Sequence, residues 1–264
     1  MTAEQPRDGS FVLQDLRFAV GGTTILEPLS LAIGGGEVLG LVGPNGSGKS
    51  TLLKLLARQA VPTGGTIRFE NRPLGEWRAR ELARRIAYLP QHPQTGTGLS
   101  AREVVRLGRY PWHGPFGRFT ADDEARVAAA LAQTGTTALA ARDLDTLSGG
   151  ERQRVWLAML VAQDARCLLL DEPTSALDIA HGIEVLTLVR RLAHEGGRSV
   201  VVVLHDVNMA SRFCDRVLAL RGGRLAAHEP VSGFMTPETL RAVYGLDMGI
   251  LPHPGHPAGV AVPN

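Results

Sequence analysis

Eight consecutive residues, Gly43-Pro44-Asn45-Gly46-Ser47-Gly48-Lys49-Ser50, constrain this chain more than any other stretch. They fit G-x-x-x-x-G-K-[ST], a pattern whose glycines let backbone N–H groups close around the phosphates of a nucleotide. The apolar run Val38-Leu39-Gly40-Leu41-Val42 lies before them and the leucine-rich residues 52–57 follow. Strand, loop and helix thus come in the order the pattern requires, and the helix start turns its positive end toward the same anion. In such a loop Lys49 reaches the β- and γ-phosphate oxygens, and the Ser50 hydroxyl is placed to ligate Mg2+. Thr51, next in the chain, completes the expected binding set.

The 264 residues are 44% hydrophobic and 20% charged, the balance of a globular protein. A net charge of +2 gives no reason to expect a nucleic-acid partner. Lys49 and Lys54 are the only lysines, so Lys49 stands out against an arginine background. Cys167 and Cys214 have no metal-like spacing and are expected to be buried, reduced thiols. No apolar stretch is long enough to cross a bilayer, and the first ten residues carry no signal-peptide core. Any membrane role is therefore expected to run through a partner.

Along the chain the character changes twice. Residues 11–69 read as strands and turns around the loop and its helix, with Gly34-Gly35-Gly36 and Pro62-Thr63-Gly64-Gly65 as turns. From residue 91 to about 165 the pattern is helical. Ser100-Ala101-Arg102-Glu103 opens one helix as a capping box. Thr120-Ala121-Asp122-Asp123 opens another, with Ala125, Ala128, Leu131 and Ala132 on one face. Strand–helix alternation then resumes, with Cys167-Leu168-Leu169-Leu170 and Val200-Val201-Val202-Val203-Leu204 as buried parallel strands. Thr236-Pro237-Glu238 starts a late helix. The expected organisation is one domain over 1–264. An α/β nucleotide-binding core (10–90 and 166–246) is interrupted by a helical subdomain (91–165) and followed by a Pro/Gly-rich tail (251–264) without fixed structure.

A second motif decides the class. Leu147-Ser148-Gly149-Gly150-Glu151-Arg152-Gln153 opens a helix with Ser148 and Glu151 at capping-box spacing, and Val155, Ala158, Met159 and Ala162 follow on its inner face. The strand after it ends in Asp171-Glu172-Pro173. An acidic residue at the carboxyl end of a parallel strand suits a nucleotide's Mg2+, and Glu172 is placed to deprotonate a water.

The ordered series of phosphate loop, Gln91, Leu-Ser-Gly-Gly-Glu-Arg-Gln, Leu-Leu-Leu-Asp-Glu-Pro, Ser175-Ala176-Leu177-Asp178 and His205 resembles the ATP-binding subunits of ABC transporters over nearly the whole chain. The resemblance implies a P-loop NTPase fold of the ABC ATPase type: a parallel-sheet core, an antiparallel β lobe and an inserted α-helical subdomain. It implies an ATPase that uses ATP and Mg2+. Two copies would face head to tail, each ATP lying between the loop of one and the Ser148, Gly149 and Gly150 helix start of the other. Lys49 and the amides of residues 46–49 would hold the phosphates. Ser50, Gln91 and Asp171 would organise Mg2+, Glu172 would be the general base, and His205 would contact the γ-phosphate. Asp178 would signal across the pair. The family's adenine-stacking aromatic falls at Val20 here. A valine stacks weakly, so the triphosphate is expected to dominate affinity, with modest discrimination between ATP and GTP.

Narrower matches at Gly108-Arg109-Tyr110-Pro111-Trp112-His113-Gly114, Gly117-Arg118-Phe119, Met159-Leu160-Val161-Ala162-Gln163-Asp164, residues 175–181 and residues 248–254 look like ATPase subunits of bacterial ferric hydroxamate importers, the ferrichrome type. These belong to the wider iron–siderophore, haem and cobalamin group. That likeness implies a polytopic membrane permease, an indirect link to a substrate-binding protein, and a peripheral place on the cytoplasmic face of the inner membrane. The aromatics of 107–119 then suggest a patch that grips the permease, or a rigid loop capped by its own rings. Rivals are a haem or cobalamin importer, and a soluble ABC subunit of iron–sulfur assembly. A chromosome-structure ABC protein would need sustained heptads between Lys49 and Ser148, and there are none. His253 and His256 lie among prolines and glycines, which argues against a metal site.

Overall fold

The computed structural model describes residues 9–94, 98–114 and 117–264. β1 (Phe11–Val20) and β2 (Thr23–Ile33) form a hairpin turned by Gly21 and Gly22, both at positive φ. β3 (Val38–Val42) leaves this layer with all five residues buried and leads into α1 (Lys49–Leu56). β4 (Gly64–Phe69) returns to pair antiparallel with β1, and the short β5 (Arg72–Pro73) closes a four-stranded sheet in the order β2-β1-β4-β5. Phe11, Leu13 and Phe69 of this sheet share one core with Leu52, Leu53 and Leu56 of α1, so the antiparallel lobe fixes the helix behind the phosphate loop.

α2 (Ala79–Ala83) precedes β6 (Ile86–Leu89). The helical subdomain follows as α3 (Ala101–Leu107), α4 (Tyr110–His113), α5 (Ala121–Gln133) and α6 (Gly149–Gln163). The chain then alternates through β7 (Cys167–Leu170), α7 (Ile179–His194), β8 (Ser199–Val203), α8 (Val207–Phe213) and β9 (Arg216–Arg221). It ends with β10 (Arg224–Pro230), α9 (Val231–Phe234), α10 (Pro237–Tyr244), β11 (Met248–His253) and β12 (His256–Pro263). The central sheet runs β10-β9-β3-β8-β7-β6, parallel from β9 to β6, with β10 antiparallel at one edge. Its inner strands are apolar runs because both faces are covered, as parallel sheets require.

The capping boxes at Ser100, Thr120 and Ser148 all form. Cys167 and Cys214 are free and buried, and burial pushes both thiols up. Two expectations need correction. In α5 the four residues do not share one face: Leu131 is buried with Asp123, Val127 and Ala130, while Ala125, Ala128 and Ala132 are exposed. An alanine-rich helix offers little apolar contrast between faces, so its rotation is set by Asp123, which is drawn inward to pair with Arg109 at 2.9 Å. The tail 251–264 has fixed structure: β11 and β12 pair antiparallel, with Leu251 opposite Val260. Asn208 of α8 clamps the hairpin, donating to Ala261 O at 3.1 Å and accepting from Ala261 N at 2.8 Å. The Pro/Gly content there makes a turn and a bulge: Gly259, at φ 80°, leaves no room for a Cβ beside Ile250.

The aromatic segment of the helical subdomain divides. Trp112 is tied inward, its Nε1–H donating to Gln163 O at 2.8 Å and its ring flanked by Arg84 and Arg109, each 4.9 Å from the centroid. Tyr110 and Leu107 remain exposed. Phe116 lies outside the described residues.

Candidate functional site

The order of the central sheet brings the site together. β3, β8, β7 and β6 are consecutive neighbours, and their carboxyl ends carry the phosphate loop, His205, Asp171 with Glu172, and Gln91. Four segments distant in sequence therefore meet on one edge of one sheet, where such sheets place their ligands.

The loop is built by glycine. Gly43 has φ 138°, and a Cβ there would lie 2.0 Å from Leu220 O. Gly48, at φ 97°, is the left-handed N-cap of α1, with no side chain capping the helix. The first N–H groups of α1 are thus left for a ligand. Lys49 is buried, its Nζ donating to Gly43 O at 2.8 Å and Pro44 O at 3.0 Å. Burial lowers its pKa, and Glu172 and Asp171 oppose that shift. Ser47 Oγ is buried with no partner among the described residues. An anion with several acceptor oxygens fits a cradle that has an unpaired hydroxyl, free helix amides and a cation bonded only to carbonyls. The cleft above the loop, about 340 Å³, is lined by Ile25, residues 45–51, Glu172 and His205.

Ser50 Oγ donates to Asp171 Oδ1 at 2.9 Å. Asp171 is 3% exposed, and its pKa is raised by burial, with Ser50 and the two lysines pulling the other way. A hydroxyl and a carboxylate form the all-oxygen, ligand-poor setting that suits Mg2+ shared with phosphates. Among the described residues no group of three or more His, Cys, Asp or Glu could hold a metal by itself. Glu172 stands at φ 50°, a left-handed conformation costly for a glutamate and common at functional sites. Both of its carboxylate oxygens are held: Gln91 Nε2 donates to Oε2 at 2.5 Å and His205 Nε2 to Oε1 at 2.6 Å.

The remaining expected residues lie elsewhere. Ser148, Gly149, Gly150 and Asp178 do not line the cleft. Ser148 caps α6, accepting from Glu151 N while Glu151 accepts from Ser148 N, and the helix start is exposed at Ser148 and Gly149. Asp178 caps α7 by accepting from His181 N at 2.9 Å. One half of a phosphate site is complete in the chain and a second, separate helix start faces solvent.

The sequence-family model described as ABC transporter matches residues 26–175. The chain belongs to the ABC transporter family. A hemin import ATP-binding protein from Streptomyces coelicolor is 46% identical over 94% of this cassette and 88% of its own length. An iron(3+)-hydroxamate import ATP-binding protein from Bacillus subtilis is 38% identical over 93% and 91%. Among solved structures, a protein described as a metal-chelate type ABC transporter in an inward-facing conformation has a TM-score of 0.83 at 28% identity, over 97% of this cassette and 98% of that chain. The ATP-binding cassette MJ0796, a dimer in a post-hydrolysis state bound to ADP and Pi, has a TM-score of 0.72 at 29% identity, over 84% and 98%. The cassette is thus an ATP-hydrolysing transport subunit with the ABC ATPase fold.

Ile25 is the cleft residue that the sequence reading missed. It sits on β2 and lines the cleft, whereas Val20, read as the adenine-facing position, is 58% exposed at the hairpin tip and is not part of that lining. Only the β1–β2 register, with Phe18 opposite Leu26, shows which residue turns toward the loop. Among the described residues no helix is long and apolar enough to cross a membrane.

Proposed function

We propose that this cassette energises import of an iron chelate by closing head to tail on a second copy, docked on a polytopic permease at the cytoplasmic face of the inner membrane. The observation that carries the reading is Glu172, held at a strained φ just past the end of β7 and bonded at both oxygens by Gln91 and His205. A carboxylate whose lone pairs are engaged is a poor base. When Gln91 and His205 turn to the nucleotide, Glu172 is released to take a proton from the attacking water. Lys49 and the amides of residues 46–49 hold the phosphates. Ser50, Asp171 and Gln91 would hold Mg2+, which when bound would neutralise charge on the phosphates.

The partner's Ser148, Gly149 and Gly150 complete each site, so nucleotide binding closes the pair and hydrolysis reopens it. The isolated chain is then expected to hydrolyse weakly and to be stimulated by the permease. Leu107 and Tyr110 take over as the docking side chains, since Trp112 is bonded into its own subdomain.

For the cargo, the narrower likeness read in the sequence favours ferric hydroxamate. A hemin-import relative at 46% identity and a hydroxamate-import relative at 38% support either cargo. Uptake of labelled haem and of a labelled ferric hydroxamate into cells lacking this protein separates the two. Rescue by the wild type but not by Glu172→Gln for one cargo assigns it and ties it to hydrolysis. Undiminished uptake of both in the deletion overturns the iron-chelate reading.

A further inference from the structure

The two helix starts that do not line the cleft are packed against each other. Gly150, at the start of α6, lies under the ring of His181 on α7: a Cβ on Gly150 would stand 2.6 Å from His181 Cδ2 and 2.9 Å from Cγ. Nδ1 of the same ring lies 2.9 Å from both carboxylate oxygens of Asp178. Since a carboxylate only accepts, Nδ1 carries the proton. His181 N–H also donates to Asp178 Oδ1, at 2.9 Å. Next to this contact, a Cβ on Gly149 would touch Leu177 Cδ2 at 3.5 Å and Ala176 O at 3.6 Å, so the backbone of the 175–178 turn lies along the same glycine pair. Further down, Arg154 of α6 bonds Glu184 of α7 at 2.7 Å.

We infer that His181 is a positioning residue that makes the Ser148–Gly149–Gly150 helix start and Asp178 one rigid unit, and so sets the geometry with which this chain completes the other copy's nucleotide site. The inference rests on the paired-cassette reading. Three features support a coupling role. Gly150 is not needed for backbone conformation, since its φ is not in the left-handed region, but for room: any side chain would displace the His181 ring. The ring spends its Nδ1 proton on Asp178 alone, fixing a carboxylate that already caps its helix through the backbone. The contact joins the two elements that face outward while touching nothing in the cleft of its own chain.

The test separates this coupling from mere folding. A chain with Lys49→Ala keeps its helix start and has a loop too weak to fill at the ATP concentration used; a chain with Ser148→Arg keeps its loop and loses its helix start. Each full-length chain alone is inactive, and a mixture restores one composite site. His181→Ala placed in the Lys49→Ala chain is expected to lower turnover of the mixture about tenfold, with the KM for ATP unchanged, since ATP is held by the other chain's loop. His181→Asn, whose amide can still donate to Asp178, is expected to restore most of it. His181→Ala placed in the Ser148→Arg chain, whose helix start already faces a dead loop, is expected to leave the mixture at its control level. Equal losses in both placements would reduce His181 to a folding residue and overturn the inference, as would no loss in either. A control mixture without turnover would instead overturn the paired-cassette reading, and the inference with it.

Discussion

The two helix starts proposed to meet the nucleotide's phosphates are built in opposite ways. α1 begins at Gly48 in a left-handed conformation, uncapped by any side chain, with buried Lys49 beside it. α6 begins at Ser148 with a complete capping box, exposed, with no lysine near it and with the Glu151 carboxylate on its first N–H. At the first, amides, a cation and an all-oxygen corner converge within one chain. The second has already satisfied part of its own polar need, so it is stable as a bare surface and adds only the amides of its glycines. On the paired-cassette proposal, the difference lets one chain bind a nucleotide by itself while a second chain is needed to turn it over. On that proposal, binding energy lives at α1 and assembly of the reactive geometry at α6.

The sharpest way to break that comparison is at Glu172, which belongs to the first site yet matters only once the second arrives. Glu172→Gln keeps a hydrogen-bonding group for Gln91 and His205 but removes the base. Turnover is expected to fall by about 10²- to 10⁴-fold, the range for loss of general base catalysis, while ATP titration shows binding retained and the ATP-bound pair lives longer. An unchanged rate removes Glu172 from the mechanism.

The second largest effect tests the support of the α6 side. Arg109 and Asp123 form a buried pair whose side chains are 3% and 7% exposed, and Arg109 also donates to Ala162 O on α6. Removing one partner of a buried pair costs about 3–5 kcal/mol, so Arg109→Ala is expected to lower the melting temperature by roughly 10 °C. ATP binding at the α1 loop is expected to survive at temperatures where the chain stays folded. For Asp123, burial pushes its pKa up. The bonds from Thr120 N–H, Arg109 and the Thr120 hydroxyl outweigh this and hold it at about 2. A depressed carboxylate contributes stability that is present above its unfolded pKa of about 3.9 and is lost as pH falls through the folded value. Melting temperature followed from pH 5 to pH 2 is expected to drop less in Asp123→Asn than in the wild type. Parallel curves would show the pair contributes no acid dependence.

Lys49→Ala comes next, since it removes one charged donor from a loop that keeps its amides. A lost charged hydrogen bond is worth about 1.5–3 kcal/mol, so affinity for a fluorescent ATP analogue is expected to fall roughly tenfold to a hundredfold. The effect should vanish for adenosine, which brings no phosphate. An equal loss for adenosine would show that the loop itself had collapsed.

How much of this was legible in the sequence follows the same division. The α1 loop, the acidic strand end, Gln91 and His205 are local patterns on strand ends, and adjacency of β3, β8, β7 and β6 is all the fold had to add. The capping boxes were equally local and all form. What was not legible depends on register or long-range packing. Ile25 lines the cleft because of how β2 pairs with β1. Trp112 is bonded inward because Gln163, far along the chain, offers its carbonyl. Val127 rather than Ala125 is buried in α5 because a polar residue, Asp123, is drawn into the core.

The smallest effect sits behind His205, where composition misled most. The Pro/Gly-rich tail reads as unstructured because proline and glycine are poor strand formers, yet β12 is held by Asn208, two residues past the Asp206 cap of α8. Asn208→Ala removes both bonds to Ala261 and leaves its N–H without a partner, at a cost of about 1–2 kcal/mol. The melting temperature is expected to fall by a few degrees, and the Ala261 amide to exchange faster with solvent while those of β3 and β8 stay protected. ATP affinity at the α1 loop should not change, because nothing in that cleft touches the hairpin. Slow exchange at Ala261 in the variant would mean that the apolar contacts of Met248, Ile250 and Ala258 with the core hold the hairpin alone, and that the Asn208 clamp is incidental.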